Sequence, residues 1–393
     1  MPIENDTLKK LEKGGFSEAM SAPQNHAQKN ISSKPLPKHK TNYGIELLRI
    51  LSMYFIIILH VLGQGGVSTA AKQGSAQYNA SWIMLAFTYC AVNCYGFISG
   101  YVGFRSRFKL SKLIILWLTV VSINCGIWLI FYFFRPSLTD AYPISRCFTP
   151  LMGNQYWYFT CYFGLYILSP VLNAAIRSLA KGTYAFMLLL SLPVFSLLPY
   201  YAQKDLFVTN TGYSLIWLIL LYLTGAYFKL HVRLKKRKIW ISVCLALYTA
   251  SALFIALRKF EVENRIMQSD QEYTPFYRDY SYTSLPVIIC SVCLFIVFSQ
   301  ICINRNVPQK IISFFSKATF SIYIAHTNHF IWGGILEDRF TDFATINAEK
   351  TVVFTLAVAA VIFIICLIFE KIRKFIFSIL KIEILLKKIP FLN

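Results

Sequence analysis

An arginine and a histidine stand eleven positions apart within one apolar run, GIELLRILSMYFIIILHV at residues 44–61. Eleven residues of an α-helix turn through about 1100°, only about 20° beyond three full turns, so Arg49 and His60 share one helix face. The rise of about 1.5 Å per residue separates them by roughly 16 Å. An imidazole can act as a general base, and a guanidinium can hold an anionic group. The two residues therefore suit two separate tasks along one polar path.

Each of these residues also has a structural interpretation without catalysis. Arg49 lies near a helix end, where it can extend to the aqueous edge and pair with Glu46 one turn earlier. His60 can be a neutral imidazole that bonds to a neighbouring carbonyl group. Ionisable residues inside apolar spans usually face a polar cavity, so two of them on one stripe favour the functional interpretation.

A basic cluster follows a small-residue site in FISGYVGFRSRFKLSK at residues 97–112. Ser99 and Gly100 predict a point of close helix packing. Four cationic residues come next within eight positions: Arg105, Arg107, Lys109 and Lys112. Guanidinium forks match phosphate geometry, so this cluster can hold the phosphates of a nucleotide-like donor. The alternative is that the cluster only anchors the chain on the cytoplasmic side.

Two further groups of polar and aromatic residues lie later in the chain. In FSIYIAHTNHF (320–330), His326 and His329 are helix neighbours, with Tyr323 one turn before His326. No carboxylate with suitable spacing accompanies them, so a polar cavity wall is favoured over a metal pair and no metal site is expected. In GNQYWYF (153–159), Trp157 is typical of an interfacial aromatic belt, although the neighbouring amides of Asn154 and Gln155 can contact a sugar.

The elements that position these residues are membrane-spanning helices. The chain has 393 residues, of which 56% are hydrophobic and 15% charged. A helix needs about 20 apolar residues to cross roughly 30 Å of hydrocarbon. Ten segments satisfy this, at about residues 44–63, 82–103, 113–134, 156–172, 184–201, 213–229, 239–257, 282–303, 316–335 and 351–371. We therefore predict an all-α, multi-pass membrane protein with ten transmembrane helices.

The distribution of basic residues predicts the orientation of these helices. With the N-terminus in the cytoplasm, 28 Lys and Arg residues fall on the inner side and 10 on the outer side. Both termini are then cytoplasmic: residues 1–42 as a disordered arm, and residues 372–393 as a basic amphipathic tail on the membrane surface. The net charge of +21 is explained by this topology and by contacts with anionic membrane lipids, so no nucleic-acid partner is expected.

Taken together, the motifs resemble the acyltransferase-3 family of integral membrane acyltransferases. The resemblance is carried by Arg49 and His60 with ten residues between them, Glu46 before the arginine, FISGY followed by RSR, QYWYF, and SIYIAH late in the chain. It covers about residues 43–371, the predicted transmembrane acyltransferase domain.

This resemblance implies roles for particular residues. His60 corresponds to the catalytic histidine and Arg49 to its partner in the same signature. Arg105 and Arg107 correspond to a basic pair on the acyl-CoA side, a site to which we add Lys109. A further set is predicted to support the site: Glu46, Ser99, Gly100, Tyr101, Trp157, Tyr323 and His326.

The implied activity is transfer of an acyl group, usually acetyl, from cytosolic acyl-CoA to a hydroxyl of an extracytoplasmic or lipid-linked glycan. Such enzymes modify capsules and exopolysaccharides at the plasma membrane. His60 would act as the base or would carry the acyl group itself. Acyl-CoA is then a donor substrate, the acceptor is a glycan or polyprenyl-linked saccharide, and no permanently bound cofactor is expected. A flippase or transporter of lipid-linked saccharides is the alternative, with Arg49 and His60 lining its transport path.

Overall fold

A computed structural model describes residues 41–153, 155–268, 280–382 and 385. Within these ranges the chain forms α-helices with short 3₁₀ and π turns and no β-strand, so the all-α prediction is confirmed for this part of the chain. The helices of the first half are α1 Tyr43–Leu62, α2 Val67–Ala70, α3 Ala76–Thr88, α4 Ala91–Gly103, α5 Leu110–Phe134, α6 Pro136–Asp140 and α7 Trp157–Ser178. Those of the second half are α8 Lys181–Ala202, α9 Leu215–His231, α10 Arg237–Gln268, α11 Leu285–Ser299, α12 Asn306–Ser316, α13 Thr319–His326, α14 His329–Ile331 and α15 Ala348–Ile379.

Seven helical segments of the described ranges are long and apolar enough to cross a membrane. They are α1, α3 with α4, α5, α7, α8, α10 and α15. The segments predicted at 213–229 and 282–303 contain shorter apolar helices, α9 with 17 residues and α11 with 15. At about 1.5 Å per residue, 15 residues rise only about 22 Å, less than the hydrocarbon thickness. The predicted ninth span at 316–335 is not one continuous helix: α13 ends at His326, α14 is capped by Asn328, and a π turn follows, so the prediction that His326 and His329 are neighbours on one helix is wrong. The total of ten spans and the cytoplasmic termini stay predictions.

Helix α1 lies at the centre of the bundle. Asn42 caps its first turn by accepting hydrogen bonds from the Gly44 and Ile45 amides at 3.0 and 3.3 Å. The helix packs against α3, α4, α11, α12, α13 and α15. Residues with branched or long apolar side chains, such as Leu48, Ile57 and Leu62, are fully buried on it. This central position places the stripe of Arg49 and His60 inside the protein.

The backbones of helices α4 and α9 lie so close together that only glycine fits at the points of contact. A Cβ atom added to Gly100 would lie 1.8 Å from the Tyr222 carbonyl oxygen, and one added to Gly225 would lie 1.9 Å from the Phe97 carbonyl oxygen. Gly100 therefore acts as the close-packing point that the small residues of FISGY predict.

Helix α15 continues to Ile379, past the predicted end of the tenth span at residue 371. Glu370 is 1% exposed and bonds to Arg373 at 2.7 and 3.0 Å and to Lys374 at 3.1 Å. These pairs join successive turns of the helix, which favours its continuation. The predicted arm lies outside the described residues apart from 41–42, as does the predicted tail beyond residue 385.

Candidate functional site

A cavity of about 960 Å³ runs along α1 and is lined by both Arg49 and His60. Its walls come mainly from α1, α3, α4, α5, α7 and α13, with single residues of α2, α9 and α12, and from the connections between helices. We call its two regions the Arg49 end and the His60 end. The helix periodicity that predicts a shared face for the two residues thus places both on one continuous cavity.

At the Arg49 end, the guanidinium forms an ion pair with Glu46 that uses only some of its N–H donors. Arg49 Nη1 donates to Glu46 Oε2 at 2.7 Å, as the spacing of three residues predicts. The Arg49 carbonyl oxygen accepts a hydrogen bond from the Tyr95 hydroxyl at 2.8 Å. A guanidinium has five N–H donors, so one bond to Glu46 leaves further donors for an anion.

The cations that line the Arg49 end match the basic cluster of the sequence only in Lys112. Lys112 and Lys317 line the cavity with Arg49, and its described lining contains no aspartate or glutamate. Arg105, Arg107 and Lys109 are exposed on the surface at the same end and do not line the cavity. Lys317 escaped the sequence reasoning because it precedes α13, far along the chain, and no local pattern connects it with α5. The cationic entrance therefore comes from three separate helical regions.

At the His60 end, two histidines from distant segments meet. His60 Nδ1 lies 2.9 Å from His326 Nε2, and His326 Nδ1 lies 2.6 Å from the Ile322 carbonyl oxygen. A carbonyl oxygen only accepts, so neutral His326 carries its proton on Nδ1 and its Nε2 is an acceptor. His60 must then donate from Nδ1. This hydrogen-bond pattern assigns the lone pair of neutral His60 to Nε2, the nitrogen that can act as a base.

The two histidines differ in their surroundings. His326 is fully buried, whereas His60 is half-buried and lines the cavity. The Trp332 ring meets the His60 ring edge-on at a centroid distance of 4.7 Å. Tyr323 also lines the cavity, and its ring lies 6.3 Å from that of His326. His60 is thus the member of the pair that a substrate can reach.

A buried amide and hydroxyl network fixes the end of α13 beside His326. The Tyr156 hydroxyl donates to Asn124 Oδ1 at 2.5 Å, and Asn328 Nδ2 donates to the same oxygen at 3.1 Å. Asn328 also caps α14 by accepting from the Phe330 amide at 3.1 Å. Asn124 and Asn328 were not predicted from the sequence; an asparagine inside an apolar span is the signal that could have identified Asn124.

The remaining predicted supporting residues lie in different places. Ser99 lines the cavity and donates to the Tyr95 carbonyl oxygen at 2.8 Å, and Trp157 lines the His60 end. Tyr101 is not among the residues that line the cavity. Its hydroxyl accepts hydrogen bonds from Asn42 Nδ2 at 3.4 Å and from Lys229 Nζ at 3.3 Å. Asn154 lies outside the described residues, while Gln155 lines the cavity.

Chemically, this arrangement joins a group of cations, which could bind an anion, to an imidazole nitrogen that could act as a base, along one cavity. The acyltransferase-3 family model, an acyltransferase domain, matches residues 42–371. Comparison with curated proteins and with solved structures finds no significant match. The match covers most of the chain and includes every residue of the cavity. The chain therefore belongs to the acyltransferase-3 family and is a membrane acyltransferase that transfers groups other than aminoacyl groups.

Proposed function

We propose that this protein is an O-acyltransferase of the plasma membrane that moves an acetyl group from cytosolic acetyl-CoA to a hydroxyl of an extracytoplasmic or lipid-linked glycan. One observation carries the proposal: a single cavity connects the cations Arg49, Lys112 and Lys317 to the hydrogen-bonded pair of His60 and His326. Acetyl-CoA carries negatively charged phosphates and a long pantetheine arm that bears the acetyl group, and the cavity is cationic at one end. With the Arg49 end in the cytoplasm, the arm would extend toward His60.

The phosphates of the donor would bind at the Arg49 end. Arg49 holds Glu46 through one nitrogen and keeps further donors, while Lys112 and Lys317 add two point charges at the entrance. Exposed Arg105, Arg107 and Lys109 would raise the local concentration of the anionic donor rather than contact it inside the cavity. Arg49 is too far from His60 to take part in the bond changes, so it is a donor-binding residue.

His60 would act as general base and then as general acid. The acceptor hydroxyl gives its proton to His60 Nε2 while its oxygen forms a bond to the thioester carbonyl carbon. When the tetrahedral intermediate collapses, the carbon–sulfur bond breaks and the imidazolium returns the proton to sulfur. The products are the ester and the free thiol of CoA. Throughout, Nδ1–H of His60 continues to donate to His326, which stabilises the charged imidazolium.

The experiment compares complemented deletion strains at matched membrane expression. Strains carry the wild type, His60→Ala, or the control His231→Ala, whose ring packs against Tyr184 and Tyr227 on α8 and α9. Proton NMR of the surface polysaccharide measures its ester content. We expect ester signals to vanish in the His60→Ala strain and to persist in the His231→Ala strain, with polymer yield unchanged in both.

The same strains test the rival transporter function. A flippase of lipid-linked saccharides would change how much polymer reaches the surface rather than its esters. Unchanged ester content with reduced polymer yield in the His60→Ala strain would contradict acyl transfer and favour the flippase.

A further inference from the structure

Six aromatic rings form a continuous wall at the His60 end of the cavity. We call this set the aromatic collar, and it consists of Trp82, Tyr89, Trp157, Tyr213, Tyr280 and Tyr282. Neighbouring ring centroids lie 4.6 to 6.1 Å apart, from Trp82 through Tyr280 to Tyr89 and Tyr282, and from Tyr282 to Tyr213 and Trp157. The mechanism proposed above uses none of these rings.

The collar is built by separate parts of the fold that converge at one end. Its rings come from α3, the start of α7, and the segments that precede α4, α9 and α11. Buried Asn93 holds one of these segments, because its Nδ2 donates to the Tyr282 carbonyl oxygen at 2.8 Å while its Oδ1 accepts from Trp217 Nε1 at 3.0 Å. These hydrogen bonds hold the backbone at Tyr282 in place and so help to keep the rings in a fixed arrangement.

The collar carries polar donors but no charge of its own. Gln64 and Gln155 line the same end, and their amides can both donate and accept hydrogen bonds. No aspartate, glutamate, lysine or arginine of the described lining belongs to this end.

A cation lies behind the collar and is already neutralised. Lys259 Nζ lies 4.1 Å from the centroid of the Trp82 ring and forms an ion pair with Glu263. The Tyr78 hydroxyl bonds to the same carboxylate. The position above Trp82 that would attract a quaternary ammonium ligand is therefore occupied by a lysine of the protein itself.

We propose that the aromatic collar is the acceptor subsite and that it binds a neutral, uncharged saccharide unit. A pyranose presents an apolar face of C–H groups, which packs on aromatic rings, and hydroxyls, which can bond to the amides of Gln64 and Gln155. The cavity thereby separates its substrates by charge, with the anionic donor at the Arg49 end and the neutral acceptor at the His60 end. This inference rests on the proposed function, since it names the acceptor of that transfer.

The test measures binding without any acyl donor. Glycans from the cell that makes this protein are separated by anion exchange into neutral and acidic fractions. Each fraction is titrated into the full-length protein in lipid nanodiscs while tryptophan fluorescence is recorded, and choline is a third probe. The variants are Trp157→Leu and Tyr213→Leu, with Tyr213→Phe as the ring-preserving variant. Trp240→Leu is the matched control, because Trp240 is exposed on α10 and does not line the cavity.

We expect the neutral fraction to change the fluorescence of the wild type, the Trp240→Leu variant and the Tyr213→Phe variant. The Trp157→Leu and Tyr213→Leu variants should need at least tenfold more glycan for half-saturation. A response only to the acidic fraction or to choline would overturn the proposal, as would equal binding by all variants. Gel filtration of each nanodisc sample excludes misfolding as the cause. Ester signals that persist in the His60→Ala strain would refute the proposed function, whereas a wild type that does not bind the neutral fraction would refute the acceptor subsite alone.

Discussion

His60 and His326 carry the same imidazole, yet their hydrogen bonds give them different capacities. His326 is fully buried and fixed by the Ile322 carbonyl, so its remaining nitrogen can only accept from His60. His60 keeps a free basic nitrogen and faces the cavity. In the proposed reaction, His326 is therefore a positioning residue that selects the tautomer of His60.

Replacing His326 tests this role. His326→Phe removes the acceptor for His60 Nδ1–H, so that the proton of a neutral His60 can occupy Nε2 instead. We expect kcat for acetyl transfer to fall by about 10²- to 10⁴-fold with little change in KM for acetyl-CoA. His326→Gln, whose amide oxygen can accept the same bond, should recover part of the rate. Steady-state kinetics in nanodiscs measures both constants, and equal loss in the two variants would contradict the tautomer role.

A second prediction concerns the two lysines that line the Arg49 end, Lys112 and Lys317, and their effect on donor binding. The double change Lys112→Gln with Lys317→Gln removes two positive charges from the entrance. We expect KM for acetyl-CoA to rise by about tenfold, because phosphate contacts are lost. KM for acetylpantetheine, which has no phosphate, should stay within about twofold of the wild type. A parallel rise for both donors would show that the lysines act on something other than the phosphates.

At the scale of helices, the position of the cavity depends on how closely its walls approach. Tyr222 and the segment around Ser99 lie on the cavity, and α4 and α9 meet there through Gly100 and Gly225. The contact places backbone against backbone, where no side chain can move aside. Any added atom must then displace a whole helix.

Gly225→Ala should therefore destabilise the protein. Its new methyl group would meet the Phe97 backbone, and overpacking of this kind costs about 1–3 kcal/mol. We expect a lower thermal unfolding midpoint in detergent than for the wild type. Gly182→Ala on α8 is the matched control, because nothing lies within 4 Å of its added Cβ. An equal unfolding midpoint for both variants would contradict this prediction, because it would show that the α4–α9 contact can accommodate the added methyl group.

Helix α15 contains a buried ion pair between Glu370 and Arg373, and its removal should lower the stability of the protein. Glu370→Gln leaves Arg373 buried without its carboxylate, which costs about 3–5 kcal/mol in comparable buried pairs. We expect a lower unfolding midpoint and reduced amounts of protein in the membrane. Glu349→Gln, an exposed carboxylate in the first turn of the same helix, should leave both quantities unchanged.

At the scale of the whole molecule, the proposed reaction needs the two cavity ends on opposite sides of the membrane. Ser299 accepts a hydrogen bond from Asn42 at 3.1 Å, so the end of α11 lies beside the start of α1. Cys302, three residues later, is the exposed cysteine of the described chain. It thus reports on the side that the Arg49 end faces.

Labelling with a membrane-impermeant maleimide tests this topology. We expect Cys302 to react in inside-out vesicles and to stay unlabelled in intact cells. The Cys302→Ser variant with Lys204→Cys, an exposed position between α8 and α9, should show the reverse pattern. Labelling of both positions from the same side would contradict the predicted orientation.

The sequence alone determined the features that are local along the chain. Apolar runs fixed the all-α class, and helix periodicity placed Arg49 and His60 on one face, because a helix repeats every 3.6 residues whatever surrounds it. The sequence motifs also resembled those of the acyltransferase-3 family. These inferences needed no knowledge of how one helix packs against another.

Only the tertiary structure decided which distant residues meet. His326 stands 266 positions from His60, yet the two nitrogens are 2.9 Å apart. Lys317 joins the cationic entrance although the sequence favoured Arg107 and its neighbours, which lie on the surface. The aromatic collar likewise gathers rings from separate segments. The physical reason is that contacts between helices depend on packing and connections across the whole bundle, and no pattern within a single helix encodes them.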